Sequence, residues 1–416
     1  MSQDAPGSVT FADIEAAMER LDDPSVVKHT PIERSTSLEA MTGAGEVHLK
    51  LEHLQWTGSF KTRGAYNKIR TCVAEGSIEE VVAASAGNHA QGVALAATTL
   101  GVDATIVMPR NAPQTKVDAT RGYGASVELV GDDFQAAMTH AKDLVSGTDA
   151  VFVHAYDDPA IVAGQGTLGV EMCEDVPGVD TVVVPIGGGG LISGIATAFA
   201  ERSPETRIVG VQAEGAATVP DSLDKGFPRT MDAVDTIADG IATGGISELT
   251  LSIIERHVDE VVTVSDSEIA DAVLVLMERA KQVVEGAGAA SVAAIRGDDV
   301  DVSGEVVMPL LCGGNLDMTM LRAVLIHALT RRRQMIRLRV RIKDRPGEMA
   351  ELSGVIADHD ANIHAVRHDR AVEDLNVGEA FLVFEVETNG VGHSRNIIDA
   401  IADHGYEIDV VNQVPG

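Results

Sequence analysis

Lys61 stands in the segment Ser59-Phe60-Lys61-Thr62-Arg63-Gly64-Ala65, behind Gly58 and at the opening of a helical stretch. The dipole of a helix's first turn opposes a positive charge, and partial burial beside Phe60 disfavours it further. A neutral amine in that place can form a Schiff base with an aldehyde or act as a base. A snorkelling surface lysine is the plainer alternative. A second segment, Ser85-Ala86-Gly87-Asn88-His89-Ala90-Gln91-Gly92, lies between an apolar run and an Ala-rich helical pattern. Backbone N–H groups at such a helix start suit a carboxylate or a phosphate. Asn88 can donate to a ligand oxygen there or serve only as an N-cap.

A third segment, Gly187-Gly188-Gly189-Gly190-Leu191, follows the apolar run Thr181–Ile186. Four glycines free the backbone to wrap a phosphate ahead of a helix. No G-x-G-x-x-G register fits, because its third position falls on Ile192 or Ser193, and the chain has no Gly-Lys pair for a P-loop. A small phosphorylated cofactor fits better than a dinucleotide or a nucleoside triphosphate; a glycine turn kept for packing is the alternative. Cys312-Gly313-Gly314-Asn315 follows Val306–Leu311. A small donor at a strand's carboxyl end faces the crevice where α/β ligands bind. Alone, Cys312 reads equally as a buried core thiol.

These segments need elements to hold them. Apolar β-branched runs at Val81–Ala84, Ala104–Met108, Ser126–Val130, Val151–His154, Thr181–Ile186, Arg207–Gln212 and Val306–Leu311 alternate with helical patterns such as His89–Leu100 and Pro113–Gly122. Continuous apolar strands separated by helices predict an α/β architecture with a parallel sheet covered on both faces. The character changes near Arg331. Met335–Lys343 alternates apolar residues with arginine, the mark of a half-exposed strand. A turn at Asp344-Arg345-Pro346-Gly347 then leads into a helix ending near Asp358. Strands at Asn362–Arg370 and Glu379–Thr388, a helix at His393–His404 and a strand at Tyr406–Val411 complete an α+β βαββαβ unit. The expected division is a domain over 1–330, a linker over 331–334 and a small domain over 335–416.

Among the 416 residues, 63 acids against 32 bases give a formal net charge of −31. Such a surface repels nucleic acid and anionic membrane, so neither is an expected partner. Only 9 of the bases are Lys. Acidity with scarce lysine reads as adaptation to a salt-rich cytoplasm, where self-repulsion is screened. The three cysteines are far apart, which excludes a disulfide framework and a thiolate zinc site. No run approaches the ~18 apolar residues of a membrane helix, and Met1–Thr10 lacks the order of a signal peptide. A cytoplasmic location is expected.

Taken together, the segments resemble the fold-type II pyridoxal-phosphate enzymes, and within them the threonine and serine dehydratases. Asp157-Asp158-Pro159, Ala163-Gly164-Gln165-Gly166-Thr167 and Glu285-Gly286-Ala287-Gly288-Ala289 join the pieces already quoted, all in the family's order over about residues 20–325. The tail from Met335 resembles an ACT domain, a small-ligand regulatory module. The resemblance implies two parallel-sheet α/β subdomains and pyridoxal 5'-phosphate as cofactor. It implies that Lys61 carries the cofactor and later removes the Cα proton, that Phe60 packs on its ring, and that Asn88 bonds its phenolic oxygen. By the same resemblance Gly187, Gly188, Gly189, Gly190 and Leu191 hold its phosphate, and Cys312 faces the pyridine nitrogen. Ser85, Gly87, Asn88 and His89 supply the loop for the substrate carboxylate, and the cofactor phosphate is the candidate acid for the leaving hydroxyl. A weak neutral donor such as Cys312 leaves the ring a milder electron sink, favouring prompt β-elimination.

Serine racemases, which resemble this chain, carry a serine where Ala86 stands, so racemisation is disfavoured. Their divalent-metal carboxylates correspond to Gln212, Ala216 and Thr218, so no metal is expected, although Glu214 lies nearby. The expected reaction is β-elimination of L-threonine to 2-oxobutanoate and ammonia, with L-serine as the alternative substrate. One methyl group is worth only ~1–3 kcal/mol of discrimination. A non-catalytic amino-acid sensor is the reading of another class. In the ACT-like unit, Pro346 and Gly347 before a helix and Asn362 at the next strand are the candidate effector residues, with isoleucine as the expected inhibitor and valine as its antagonist. A homo-oligomer, dimer or tetramer, is expected.

Overall fold

Val81–Ala84 is buried at every position, as expected of a strand covered on both faces. The computed structural model describes residues 8–76, 78–297, 299–372 and 374–411, and it divides into two compact units, Met1–Asp317 and Met318–Gly416. The first unit contains two sheets. A four-stranded sheet orders Ser126–Leu129, Asp103–Met108, Glu80–Ala84 and Val151–Phe152, all parallel. A six-stranded sheet orders Ile32–Arg34, Glu46–Lys50, Val306–Pro309, Thr181–Pro185, Arg207–Ala213 and Glu260–Val264. It is parallel except at the Ile32–Arg34 edge. Two parallel-sheet α/β subdomains are therefore present.

The Val151–His154 run stops being a strand after Phe152, because His154 Nδ1 accepts from the N–H groups of Tyr156 and Asp157 (3.3 and 2.8 Å) and turns the chain. Asp157-Asp158-Pro159 then starts the helix Pro159–Asp175. Asp158 is its N-cap, accepting from Ala160 N at 2.8 Å, and Pro159 fills the first turn, where no N–H is needed. This helix crosses the helix Lys61–Glu75 at a point where both carry glycine. A Cβ on Gly164 would lie 2.7 Å from the Gly64 Cα, and one on Gly64 would lie 2.8 Å from the Ile161 carbonyl oxygen.

The second unit is built on an antiparallel sheet ordered Asn362–Asp369, Glu379–Glu387, Met335–Lys343 and Glu407–Val410. Ile336, Leu338, Val340 and Ile342 are buried in a core shared with the helices Glu348–Ala357 and Val391–Asp403. The arginines between them point the other way, where Arg339 and Arg341 lie 4.6 and 5.0 Å from the Phe381 ring centre. The helix Met318–Arg331 groups with this unit, ahead of the 331–334 linker read from the sequence. No helix among the described residues is long and apolar enough to cross a membrane.

Candidate active site

The loops that carry the candidate residues are joined by backbone bonds. Ser59 and Gly313 form an isolated antiparallel bridge, Phe60 N–H donates to the Cys312 carbonyl (3.4 Å), and Gly314 N–H donates to the Gly58 carbonyl (2.9 Å). The first lysine loop and the last strand's loop thus lie side by side. Around them a cavity of about 410 Å³ is lined by Phe60, Lys61, Ser85, Gly87, Asn88, His89, Gly187 to Leu191 and Cys312. Every catalytic, cofactor and substrate residue expected from the sequence therefore meets at one place.

Lys61 is the first residue of its helix, with Phe60 as the N-cap. Its Nζ donates to the Ala155 carbonyl at 3.1 Å and lies 5.0 Å from the Phe60 ring centre. Burial pushes this amine down to about 8, opposed by the Cys312 thiol and Glu285, so a neutral fraction is present near neutral pH. Two residues along, Arg63 is fully buried and holds the helix in place through Glu52 and Glu171.

Gly187 to Gly189 lead into the helix Gly190–Arg202, whose first amides have no acceptor within the helix. A Cβ on Gly188 would overlap the Tyr156 ring, which packs on this loop with its hydroxyl on the Gly245 carbonyl (3.3 Å). Beside Gly187, the Thr243 Oγ1 is buried without a hydrogen-bond partner in the chain, and Thr243 lines the same cavity. An orphaned hydroxyl next to a glycine cradle, with a readily deprotonated amine and a ring across the cavity, fits a phosphorylated aromatic aldehyde.

Within the Ser85–His89 loop, the Gly87 N–H is already taken by Ser85 Oγ (3.1 Å), which leaves fewer amides for an anion than the sequence suggested. The His89 ring is anchored to a neighbouring strand's end, with Nε2 on the Val153 carbonyl at 2.9 Å. Burial, and then the nearby Lys61, push it down to about 3, so it is neutral with its proton on Nε2. Asn88 is not an N-cap. Gly87 holds that position, and the Asn88 side chain donates to Glu285 Oε1 at 2.7 Å.

Cys312 is buried, its Sγ donating to the Ala287 carbonyl (3.5 Å), and burial raises its thiol so that it stays neutral. Glu285, Asn315, Tyr156 and Thr243 belong to the same cavity, and their local sequence alone assigns them no role. Glu285 and Asn315 do stand inside the segments Glu285–Ala289 and Cys312–Asn315, the one local signal they carry. Gln212 cross-links its own loop, with Nε2 on the Ala216 carbonyl (3.2 Å) and Oε1 accepting from Val219 N (2.8 Å). In the second unit, Gly347 adopts φ +106° as N-cap of the helix Glu348–Ala357, and Asn362 opens its strand, exposed to solvent.

Comparison with known proteins adds independent findings. The family model described as pyridoxal-phosphate dependent enzyme matches residues 25–313, and that described as ACT domain matches residues 336–403. The L-threonine ammonia-lyase of Thermotoga maritima is 44% identical over 403 residues, covering 97% of this chain and 100% of the relative. Among solved structures, the processed form of threonine deaminase isoform 2 from Solanum lycopersicum is 34% identical with a TM-score of 0.72, over 78% of this chain and 90% of that one. Maize serine racemase is 35% identical with a TM-score of 0.72, over 78% of this chain and 99% of its own. The cavity, the lysine and the glycine cradle agree with these matches, and the chain belongs to the pyridoxal-phosphate dependent enzyme family, with an ACT domain at its C-terminal end.

Proposed function

We propose that the protein is a threonine ammonia-lyase, converting L-threonine to 2-oxobutanoate and ammonia. The observation that carries this reading is the buried, readily deprotonated Lys61 amine facing the same cavity as the glycine cradle. The relatives named for this reaction support the substrate.

The cofactor, once bound, supplies an electron sink for the Cα–H bond pair. Lys61 would hold it and would take the Cα proton as the base. Gly187 to Leu191 and Thr243 would receive its phosphate, Phe60 would cover its ring, Asn88 would meet its phenolic oxygen, and Cys312 would face its pyridine nitrogen. Ser85, Asn88 and the backbone at His89 orient the substrate carboxylate. The Cα proton and the β-hydroxyl would leave together as one water, giving 2-aminocrotonate, and a second water would then replace its nitrogen and release ammonia. Ala86 lines the cavity and has no proton to give, which favours elimination over the inversion named for the maize neighbour.

The second unit is proposed to be regulatory, with Pro346, Gly347 and Asn362 receiving a branched-chain amino acid, isoleucine as inhibitor and valine as antagonist. The ACT match supports this reading. The catalytic part is taken to span 1–330 with a linker over 331–334, the molecule to work as a homo-oligomer, and the net charge of −31 to reflect a salt-rich cytoplasm. A substrate panel in molar salt, assayed for 2-oxoacid release with and without isoleucine, tests the proposal. Release from threonine above serine is expected. No 2-oxoacid from either amino acid would overturn it, and indifference to every branched-chain amino acid would remove the regulatory part.

A further inference from the structure

Asn315 stands beside Asn88 in the cavity wall, and its amide nitrogen makes two bonds, to the Thr57 carbonyl oxygen (2.7 Å) and to Asn88 Oδ1 (2.8 Å). A backbone carbonyl only accepts, so the Asn315 atom facing Thr57 must be the NH₂ group. The second hydrogen of that group is then aimed at Asn88, whose facing atom must be its oxygen. The Asn88 amide nitrogen is left pointing at Glu285 Oε1, 2.7 Å away, and a carboxyl oxygen accepts there. One Asn88 N–H is spent on Glu285, and its second N–H is free for the cavity. The orientation of an asparagine side chain, which density alone leaves open, is here dictated from a main-chain anchor.

The surrounding backbone is shaped to admit this chain of bonds. Glu285 is buried, and a Cβ on Gly313 would overlap its Oε1. Glu285 N–H also donates to the Gly313 carbonyl (3.2 Å), tying the carboxylate's own segment to the loop that carries Asn315. Glu285 and Asn315 therefore bond the two ends of the Asn88 amide from two adjoining segments.

We propose that Asn315 and Glu285 are positioning residues that fix which face of the Asn88 amide meets the bound cofactor. Thr57 anchors Asn315, Asn315 orients Asn88, and Glu285 closes the far end, so that Asn88 presents an N–H donor to the ligand oxygen. The inference rests on the reading of Asn88 as the contact to the cofactor's phenolic oxygen. Hydrogen-bond partners that support a ligand-holding group are worth about 10- to 100-fold in metal sites, and about tenfold is expected here.

The test uses holoenzyme and reads the absorbance of the bound cofactor and its dissociation constant by equilibrium dialysis. Asn315→Asp cannot donate to Thr57 or to Asn88, and it should shift the band and weaken retention about tenfold, in the direction Asn88→Ala does. The double variant Asn88→Ala with Asn315→Asp should be no worse than Asn88→Ala alone, because Asn315 acts only through Asn88. Should the aspartate variant not fold, Asn315→Ala, which removes the donor without adding charge, decides by the same criteria. Additive effects in the double variant, or a wild-type band and affinity in the Asn315 variants beside a shifted Asn88→Ala, would overturn the inference and leave the cofactor contact standing. An unaltered band in Asn88→Ala would overturn that contact itself, and the inference with it.

Discussion

Arg63 and Glu171 meet as a fork, Nη1 to Oε1 at 2.7 Å and Nη2 to Oε2 at 3.0 Å, although their residues belong to different helices. The same guanidinium bonds Glu52 through Nε (2.7 Å) and Nη2 (3.1 Å), and Lys50 joins Glu171 and Asp175 from the neighbouring strand. Arg63 is two residues beyond Lys61 on one helix, so this buried network sets where the amine stands. Arg63→Ala leaves the buried Glu52 without its cation and Glu171 with Lys50 alone, and it should cost about 3–5 kcal/mol in chemical unfolding. Arg63→Lys keeps the charge but not the fork, and it should recover only part of that loss. Full stability in the alanine variant would show that the network does not hold the helix.

Lys61→Ala should lower turnover at least ~10²–10⁴-fold, the usual worth of a positioned base, while melting close to the wild type. Steady-state assays of 2-oxoacid release check this, and an active alanine variant would remove Lys61 from its assigned role.

Cys312→Ser should remain active, since a hydroxyl replaces the thiol as a neutral donor. Cys312→Asp puts a carboxylate at the pyridine nitrogen, and racemisation or transamination should rise relative to elimination. Chiral chromatography of recovered amino acid gives the ratio; the same ratio in the aspartate variant would place Cys312 away from the ring.

His89 is neutral in the folded state, held down to about 3 by burial and then by Lys61, against an ordinary 6.5. The unfolded chain binds the proton first, so the stabilising contribution is complete above pH 6.5 and is lost as pH falls toward 3. Between pH 7 and pH 4 this amounts to about 3 kcal/mol. His89→Gln, which can still donate to the Val153 carbonyl, should lose less stability over that range. Parallel unfolding curves for the two proteins across those pH values would contradict the assignment.

Melting temperature and activity should both rise from dilute buffer toward molar salt, as the Debye length falls from ~30 Å at 0.01 M to ~3 Å at 1 M. With a formal charge of −31, self-repulsion is the quantity being screened. Equal stability in dilute buffer would make the acidity incidental.

Periodicity is enough to place the strands that run through the core, because Val81–Ala84 and Val182–Pro185 are apolar and buried throughout. Ile32–Arg34, Glu46–Lys50 and Glu260–Val264 escaped it, since they are short or begin with charged residues and lie toward one edge or the other of their sheet. Lys50 illustrates the limit. A lysine in a strand reads as exposed, yet this one is fully buried because Glu171 and Asp175 arrive from a distant helix. Within the site, Lys61 and the glycine run announce their chemistry locally. Glu285 and Asn315 act on Asn88 across long stretches of chain, and no local spacing encodes such a meeting.

The crossing of Gly64 with Gly164 bears on how sequences of this kind can change. With backbone pressed on backbone, a methyl group at either position has no volume to enter, and no single neighbouring side chain can shrink to make it. The lysine's helix and the helix opened by Asp158-Pro159 are thereby one mechanical part contributed by two separate stretches of chain. A side chain at either glycine would need the two helices to move apart, so engineering that exchanges one of these stretches between related enzymes should exchange both together.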